Sequence, residues 1–365
     1  MEEDIKGTHI KKNKILYIYP QASTFVEKDV QFLSSKYRVV ISDINWNNKK
    51  MIIVNFIKQF FFLLKNLPGS DAVLVMFGGY WSFLPSLFGR IFNKPVFIIL
   101  GGTDCVSFPE INYGSLRKPI LRTFIKLSYK LSTRLLTVSK TLVETDYSYL
   151  EKCKYPKQGY KYFFPEIKTP YTVINNGYDS VFWKDKKLNK KSGSFITVAS
   201  VFDYKRFELK GIDMIFELAK HFNHSTFTII GVNEAFQKQL KFIPDNVKII
   251  SFLTAEELKE YLDRNQFYLQ LSISEGFPNA LSEGMLSKCI PIGSNVGAIP
   301  EIIGDTGFIA EKRNFDLIQN ICSSVIAISD AEKIRLAEAA RERIVKQFSI
   351  QKRENSFFRV IEAKK

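Results

Sequence analysis

Residues 271–304 read LSISEGFPNALSEGMLSKCIPIGSNVGAIPEIIG, and the interpretation of the whole chain starts from them. Leu271 to Ser274 finish an apolar run that begins at Phe267, the pattern of a buried strand. Pro278 and Asn279 then supply a helix start, because the N–H that proline lacks has no partner in a helix's first turn. A second apolar run follows at residues 290–293, and a glycine turn at Gly297. The stretch is therefore predicted as strand, acidic turn, helix, strand and glycine turn. Glu275 falls at the strand end and Glu283 one turn into the helix, so both carboxylates can face the same cleft as the helix N-terminus. That N-terminus offers free N–H groups from Asn279 onward and the positive end of the helix dipole, which attract a phosphate. The two acids want hydroxyls instead. Together these preferences match a nucleotide sugar.

A bare pair of glutamates at this spacing also fits a turn acid and a solvated helix acid. The full string EGFPNALSEGM, followed by Ile290-Pro-Ile-Gly and Val296-Gly-Ala-Ile-Pro-Glu301, goes further. In residue type and order it resembles the E-x7-E signature of the retaining glycosyltransferases of family 4. The resemblance implies an α/β chain of the GT-B fold, with two Rossmann-like β/α/β domains facing a cleft. It also implies that Glu275 orients the sugar hydroxyls and Glu283 binds the ribose diol. Gly276, Phe277, Pro278, Asn279, Ala280 and Leu281 would then lie against the donor.

At 365 residues the chain is long for one core and comfortable for two. Apolar residues make up 45% and charged residues 24%, an ordinary globular composition. The 32 Phe and 16 Tyr beside a net charge of +15 suggest an anionic, partly greasy partner surface, or simply a basic solvated exterior. Residues 1–180 carry 25 basic against 14 acidic side chains and residues 181–365 carry 27 against 23, so an anionic partner should meet the first half. Phospholipid headgroups and a lipid pyrophosphate acceptor both qualify. Nucleic acid qualifies on charge alone but is the weakest candidate, since no zinc spacing, RNP-like string or helix-turn-helix pattern is present to read bases. Cys105, Cys153, Cys289 and Cys322 show no CxxC spacing and the amino terminus is polar, which points to a reducing cytoplasm. An inner-membrane-face location is compatible with it. The longest apolar window, residues 56–67, is too short and too charged to span a bilayer.

Taken in order, residues 14–19 read as a first buried strand, with a helix at 27–33 and a strand at 38–41 continuing a β-α-β alternation. The loop after the first strand, PQAST, lacks the glycines usual in the family; Ser23 and Thr24 can still donate hydrogen bonds toward the acceptor side. Residues 51–67 show helix periodicity with a polar stripe of Asn55, Lys58, Gln59, Lys65 and Asn66. The apolar remainder is wider than one core face needs, so this is either a helix packed on the sheet or a membrane-surface helix. Residues 71–76 and 95–100 are strands with Gly78-Gly79 and Gly101-Gly102-Thr103-Asp104 at their carboxyl ends, where ligands bind in open α/β sheets. The second turn resembles the family's His-Gly-Ser/Thr-Asp turn, with Gly101 at the histidine position. Asp104 remains as a polar contact in the first domain, or as a helix cap. Residues 117–130 form a basic amphipathic helix and 133–139 a strand. Residues 147–169, with five Lys among seven Tyr or Phe, look like an insertion: a basic aromatic loop near the acceptor, or plain surface.

Asn176, Gly177 and Asp179 resemble the family's NG-x-D hinge, after which the lysine-rich stretch 184–194 reads as an interdomain linker. The expected division is 1–183 for the acceptor-binding domain, 195–345 for the donor-binding domain and 346–365 for a helix returning to the first. In the second domain, FDYKRFELKG precedes a helix at 211–222. Lys210 matches a family lysine before glycine, and Arg206 or Lys205 the partnering cation. The resemblance gives them the leaving diphosphate, whose charge grows as the glycosidic bond breaks. Phe252 and Leu253 fall where the family keeps its base pocket. Helices are also expected at 234–242, 255–264 and 330–347.

Neither half shows G-x-G-x-x-G after its first strand, which disfavours a dehydrogenase. No D-x-D triplet occurs, so no metal and no other cofactor is expected. The residues point to transfer from a nucleotide sugar to a glycan or lipid-linked glycan acceptor, as in capsule, lipopolysaccharide or exopolysaccharide assembly. A sugar-nucleotide epimerase, a phosphorylase or disaccharide synthase, and a non-enzymatic anion-binding module are the alternatives.

Overall fold

The structure, a computed structural model, describes residues 13–21, 24–184 and 190–363. Its first sheet contains β1 (Lys14–Ile18), β2 (Arg38–Ser42), β3 (Ala72–Met76), β4 (Val96–Leu100) and β5 (Arg134–Thr137). A small antiparallel pair, β6 (Thr145–Asp146) with β7 (Lys157–Gln158), precedes the sixth strand of that sheet, β8 (Tyr171–Val173). The order is β2-β1-β3-β4-β5-β8, with every pairing parallel. AVLVM in β3 and VFIIL in β4 are buried at every position, as parallel strands covered on both faces must be.

The second sheet holds β9 (Lys191–Val201), β10 (Thr226–Val232), β11 (Val247–Ile250), β12 (Asn265–Gln270), β13 (Ile290–Ser294) and β14 (Phe308–Ala310), in the order β11-β10-β9-β12-β13-β14. It too is parallel throughout. Because β9 starts at Lys191, it takes up the end of the expected 184–194 linker; residues 185–189 lie outside the described residues. In each sheet the strand order reverses beside the first strand, and the crevice at that reversal is where ligands bind.

On the first sheet, α1 (Thr24–Lys36) lies on one side, and α2 (Ile52–Asn66), α3 (Tyr80–Ile91) and α4 (Pro119–Leu131) form a layer of their own. A single turn, α5 (Tyr160–Phe163), follows. The second domain carries α6 (Tyr204–Leu209), α7 (Ile212–His221), α8 (Glu234–Gln237), α9 (Ala255–Arg264), α10 (Asn279–Leu286), α11 (Ile299–Ile303), α12 (Phe315–Ala327) and α13 (Asp330–Gln347). The helix expected over 234–242 stops at Gln237. The last helix, α14 (Ile350–Glu362), returns to α1: Arg353 makes two 2.9 Å bonds to Asp29, and Phe357 lies 5.5 Å from Phe32.

Packing changes two readings. Residues 147–169 are not plain surface. Tyr149 and Tyr160 are fully buried, and Tyr147, Phe163, Phe164 and Ile167 join the same core. Their aromatic area outweighs the exposed lysines between them. The polar stripe along α2 is split, because Asn55 and Gln59 are buried while Lys58 and Lys65 are exposed. Among the described residues, no helix is long and apolar enough to cross a membrane.

Candidate active site

Lys210 ends α6 just after β9, and Glu275 follows β12, the neighbouring strand, so both stand at the reversal point of the second sheet. Glu275 Oε1 accepts from Lys210 Nζ at 2.5 Å, from Ser272 Oγ at 2.8 Å and from Gln270 Nε2 at 3.2 Å. Among the described residues nothing donates to Oε2. One oxygen is thus fixed and the other left without a donor. Gln270 and Ser272 were missed from sequence, although two polar residues ending an apolar buried strand are a readable signal.

α10 starts at Pro278 with no side-chain cap, so its first amides are left for an anion. The Asn279 side chain is not part of that offer, since its Oδ1 accepts from Tyr178 at 2.7 Å and Asn176 at 3.1 Å, both from the first domain's last segment. Glu283 forms no hydrogen bond or ion pair among the described residues. Burial pushes its carboxyl above the usual range, with the Lys28 charge opposing. Both acids act on the buried Tyr268 phenol, which burial, then the Glu283 and Glu275 charges, push well up against the Val198 N–H. Phe277 and Leu281, expected against the donor, are core instead: Phe277 packs 5.3 Å from Phe348 and Leu281 has no exposed surface. A strand-to-helix turn must seat its apolar residues, leaving only backbone to the ligand. Gly276 and Pro278 are buried and Ala280 half-buried.

Across the cleft, Asp104 is turned inward. Its Oδ2 accepts from the Gly78 amide and the Tyr129 hydroxyl, each at 2.8 Å, and its Oδ1 from the Gly102 and Gly101 amides at 3.0 and 3.2 Å. The carboxylate holds four donors, locks two glycine turns together and is buried. Burial pushes it up and those donors pull it back. Thr103 is bonded to Tyr113 at 3.0 Å. At the position of the family's histidine, the Phe77 ring lies where a Gly101 side chain would start, 1.9 Å from its Cβ site, and Phe77 itself has φ 64°. Ser23 lies outside the described residues, and Thr24 is described only as the first residue of α1.

Gly102 (φ 141°) and Gly276 bring the domains into contact: a Cβ on Gly276 would sit 1.9 Å from the Gly101 carbonyl oxygen. Lys205 Nζ also crosses the cleft, donating to the Asn112 carbonyl. The Arg206 guanidinium lies 5.3 Å over the Phe202 ring, with no carboxylate partner among the described residues. Phe252 is 62% exposed, while Leu253 packs on the core. Among the described residues, no group of three or more His, Cys, Asp or Glu is placed to hold a metal ion.

Two all-parallel sheets joined edge to edge of a cleft, with the polar residues of the second gathered at its strand reversal, define the GT-B fold. The chain superposes on sucrose-phosphate synthase from Thermosynechococcus elongatus with a TM-score of 0.74 at 13% identity, covering 97% of this chain and 100% of that one. It superposes on Anabaena HepE in complex with UDP with a TM-score of 0.72 at 13% identity, covering 96% and 100%. Residues 183–343 match the family Glycosyl transferases group 1. In sequence, 139 residues are 29% identical to the amylovoran biosynthesis glycosyltransferase AmsK of Erwinia amylovora, spanning 34% of this chain and a third (33%) of that protein.

Proposed function

We propose that the protein is a retaining glycosyltransferase of the family 4 type, moving a sugar from a nucleotide-sugar donor to a glycan or lipid-linked glycan acceptor. The observation that carries this is Glu275, fixed through Oε1 with Oε2 unclaimed, beside an uncapped helix start and the half-buried Glu283 carboxylate without a partner. A donor fits these features in turn. Glu283 takes the ribose diol, the α10 amides and Lys210 with Arg206 take the diphosphate, and Glu275 Oε2 orients the sugar. As the glycosidic bond breaks, fixed cations and peptide dipoles stabilise the charge gathering on the departing phosphate. That phosphate oxygen then takes the acceptor's proton on the same face, so neither acid becomes a covalent nucleophile. No metal ion is needed in this scheme.

A neighbour solved with UDP and with UDP-glucose supports a uridine donor, and the amylovoran relative supports polysaccharide assembly. We place the work at the inner face of the plasma membrane, on an acceptor of capsule, lipopolysaccharide or exopolysaccharide type. Incubation with UDP, GDP and ADP sugars, read as thermal shift, identifies the donor; a cognate ligand at about 100 times its Kd adds about 2.7 kcal/mol. Glu275→Ala should abolish turnover and spare nucleotide affinity. Equal losses in both, or activity abolished by a chelator, overturn the scheme.

A further inference from the structure

α2 turns two of its polar residues inward. Its buried positions are Asn55, Gln59 and Leu63; Asn55 Nδ2 donates to the Asn45 carbonyl at 2.8 Å and Gln59 Nε2 to the Trp81 carbonyl at 2.9 Å. Facing out are Ile53 (76% exposed), Ile57 (53%), Phe60, Phe61 (63%) and Leu64. Their spacing, three or four residues apart, makes one continuous stripe along the helix. The apolar surface extends onto α3, because Phe60 meets Phe88 at 5.5 Å, Phe88 meets Phe92 at 5.9 Å, and Ile91 is 65% exposed. A contiguous apolar face of this kind marks a contact with something other than water.

Along the helices beneath it the charge has one sign, with Glu166, paired to Lys126 at 2.5 Å, the acid beside them. The helices α2, α3 and α4 contain Lys58, Lys65, Arg90, Arg122, Lys126 and Lys130 and no Asp or Glu. Among the described residues, Lys58, Lys65 and Arg90 have no carboxylate partner. Lys49 and Lys50, just before α2, are exposed. Lys49 lies near Lys118, whose ammonium is pushed down by burial and then by the Arg117 and Lys49 charges. The Arg117 Nε is buried with no hydrogen-bond partner.

We infer that this face docks on an anionic lipid bilayer, with α2 in the headgroup plane, its outward stripe among the acyl chains and the unpaired cations on lipid phosphates. A second copy of the chain fits poorly, since it would bring two cationic faces together. Docking of this kind leaves the cleft mouth near the headgroups, because Lys205 of the second domain borders Arg117 and Lys118. The inference does not depend on glycosyl transfer.

Co-sedimentation with phosphatidylcholine vesicles, with and without phosphatidylglycerol, tests it. Binding should be roughly tenfold or more stronger to the anionic vesicles and weaken with salt. The exposed pairs Ile57→Ser with Phe61→Ser, and separately Lys58→Glu with Lys65→Glu, should each lose roughly tenfold. Both variants should keep the wild-type thermal shift with UDP, which separates this result from any failure of the donor site. Equal binding to the two compositions, no effect of either pair, or a solution dimer that the serine pair dissolves would overturn it.

Discussion

Lys210 Nζ and Glu275 Oε1, 65 residues apart in the chain, meet at 2.5 Å at the reversal point of the second sheet. The ammonium aims the carboxylate, and in the proposed scheme it also meets the departing diphosphate. Lys210→Met keeps the aliphatic stem and removes the charge, and should cut turnover by about 10²- to 10³-fold. Nucleotide release under saturating donor is the measurement; a rate within twofold of wild type would exclude that role.

Glu283 should reveal itself through pH. Burial raises its folded-state pKa, so its contribution to stability is complete below the ordinary carboxylate range and is lost as pH rises through the raised value. Glu283→Gln should flatten the decline in melting temperature above about pH 4 and raise it at neutral pH. The same variant should weaken nucleotide binding, seen by calorimetry. A stability profile parallel to wild type would contradict the burial argument.

Asp104 should behave as a brace. Asp104→Ala strands the Gly78 amide and the Tyr129 hydroxyl and should cost about 2–4 kcal/mol in urea unfolding, with Tyr129→Phe near 1 kcal/mol. Lost turnover at unchanged stability would return Asp104 to the role of a ligand contact.

Gly276→Ala puts a methyl group 1.9 Å from the Gly101 carbonyl oxygen, so the domains must part. A displacement of about 1 Å should lower kcat by about 10²-fold. UDP affinity, which in the proposed scheme rests on the second domain, should hold; a variant with unaltered kcat would show that this contact does not gate the reaction.

The Arg353–Asp29 pair is buried and bidentate, tying α14 to α1. Arg353→Ala leaves an uncompensated carboxylate and should cost about 3–5 kcal/mol, readable as a fall in the denaturant midpoint.

Much of this was legible in residue order. Strand and helix periods are local, and so is the turn chemistry of Pro278 and Asn279. The β-α-β alternation and the strand-turn-helix around Glu275 could therefore be read before any packing was known. The positions of Lys210 and Glu275 on separate loops were also readable, but not their contact, which needs β9 and β12 to lie side by side.

Packing decided which way each element faces. The periodicity of α2 was visible, yet Asn55 and Gln59 went inward because Asn45 and Trp81 offered them carbonyls. Asp104 was turned into the protein by Tyr129 and Gly78, 25 and 26 residues away. Phe277 was drawn into the core by Phe348. A period specifies that a segment has two faces; only its neighbours in space, distant along the chain, establish which face it costs less to bury.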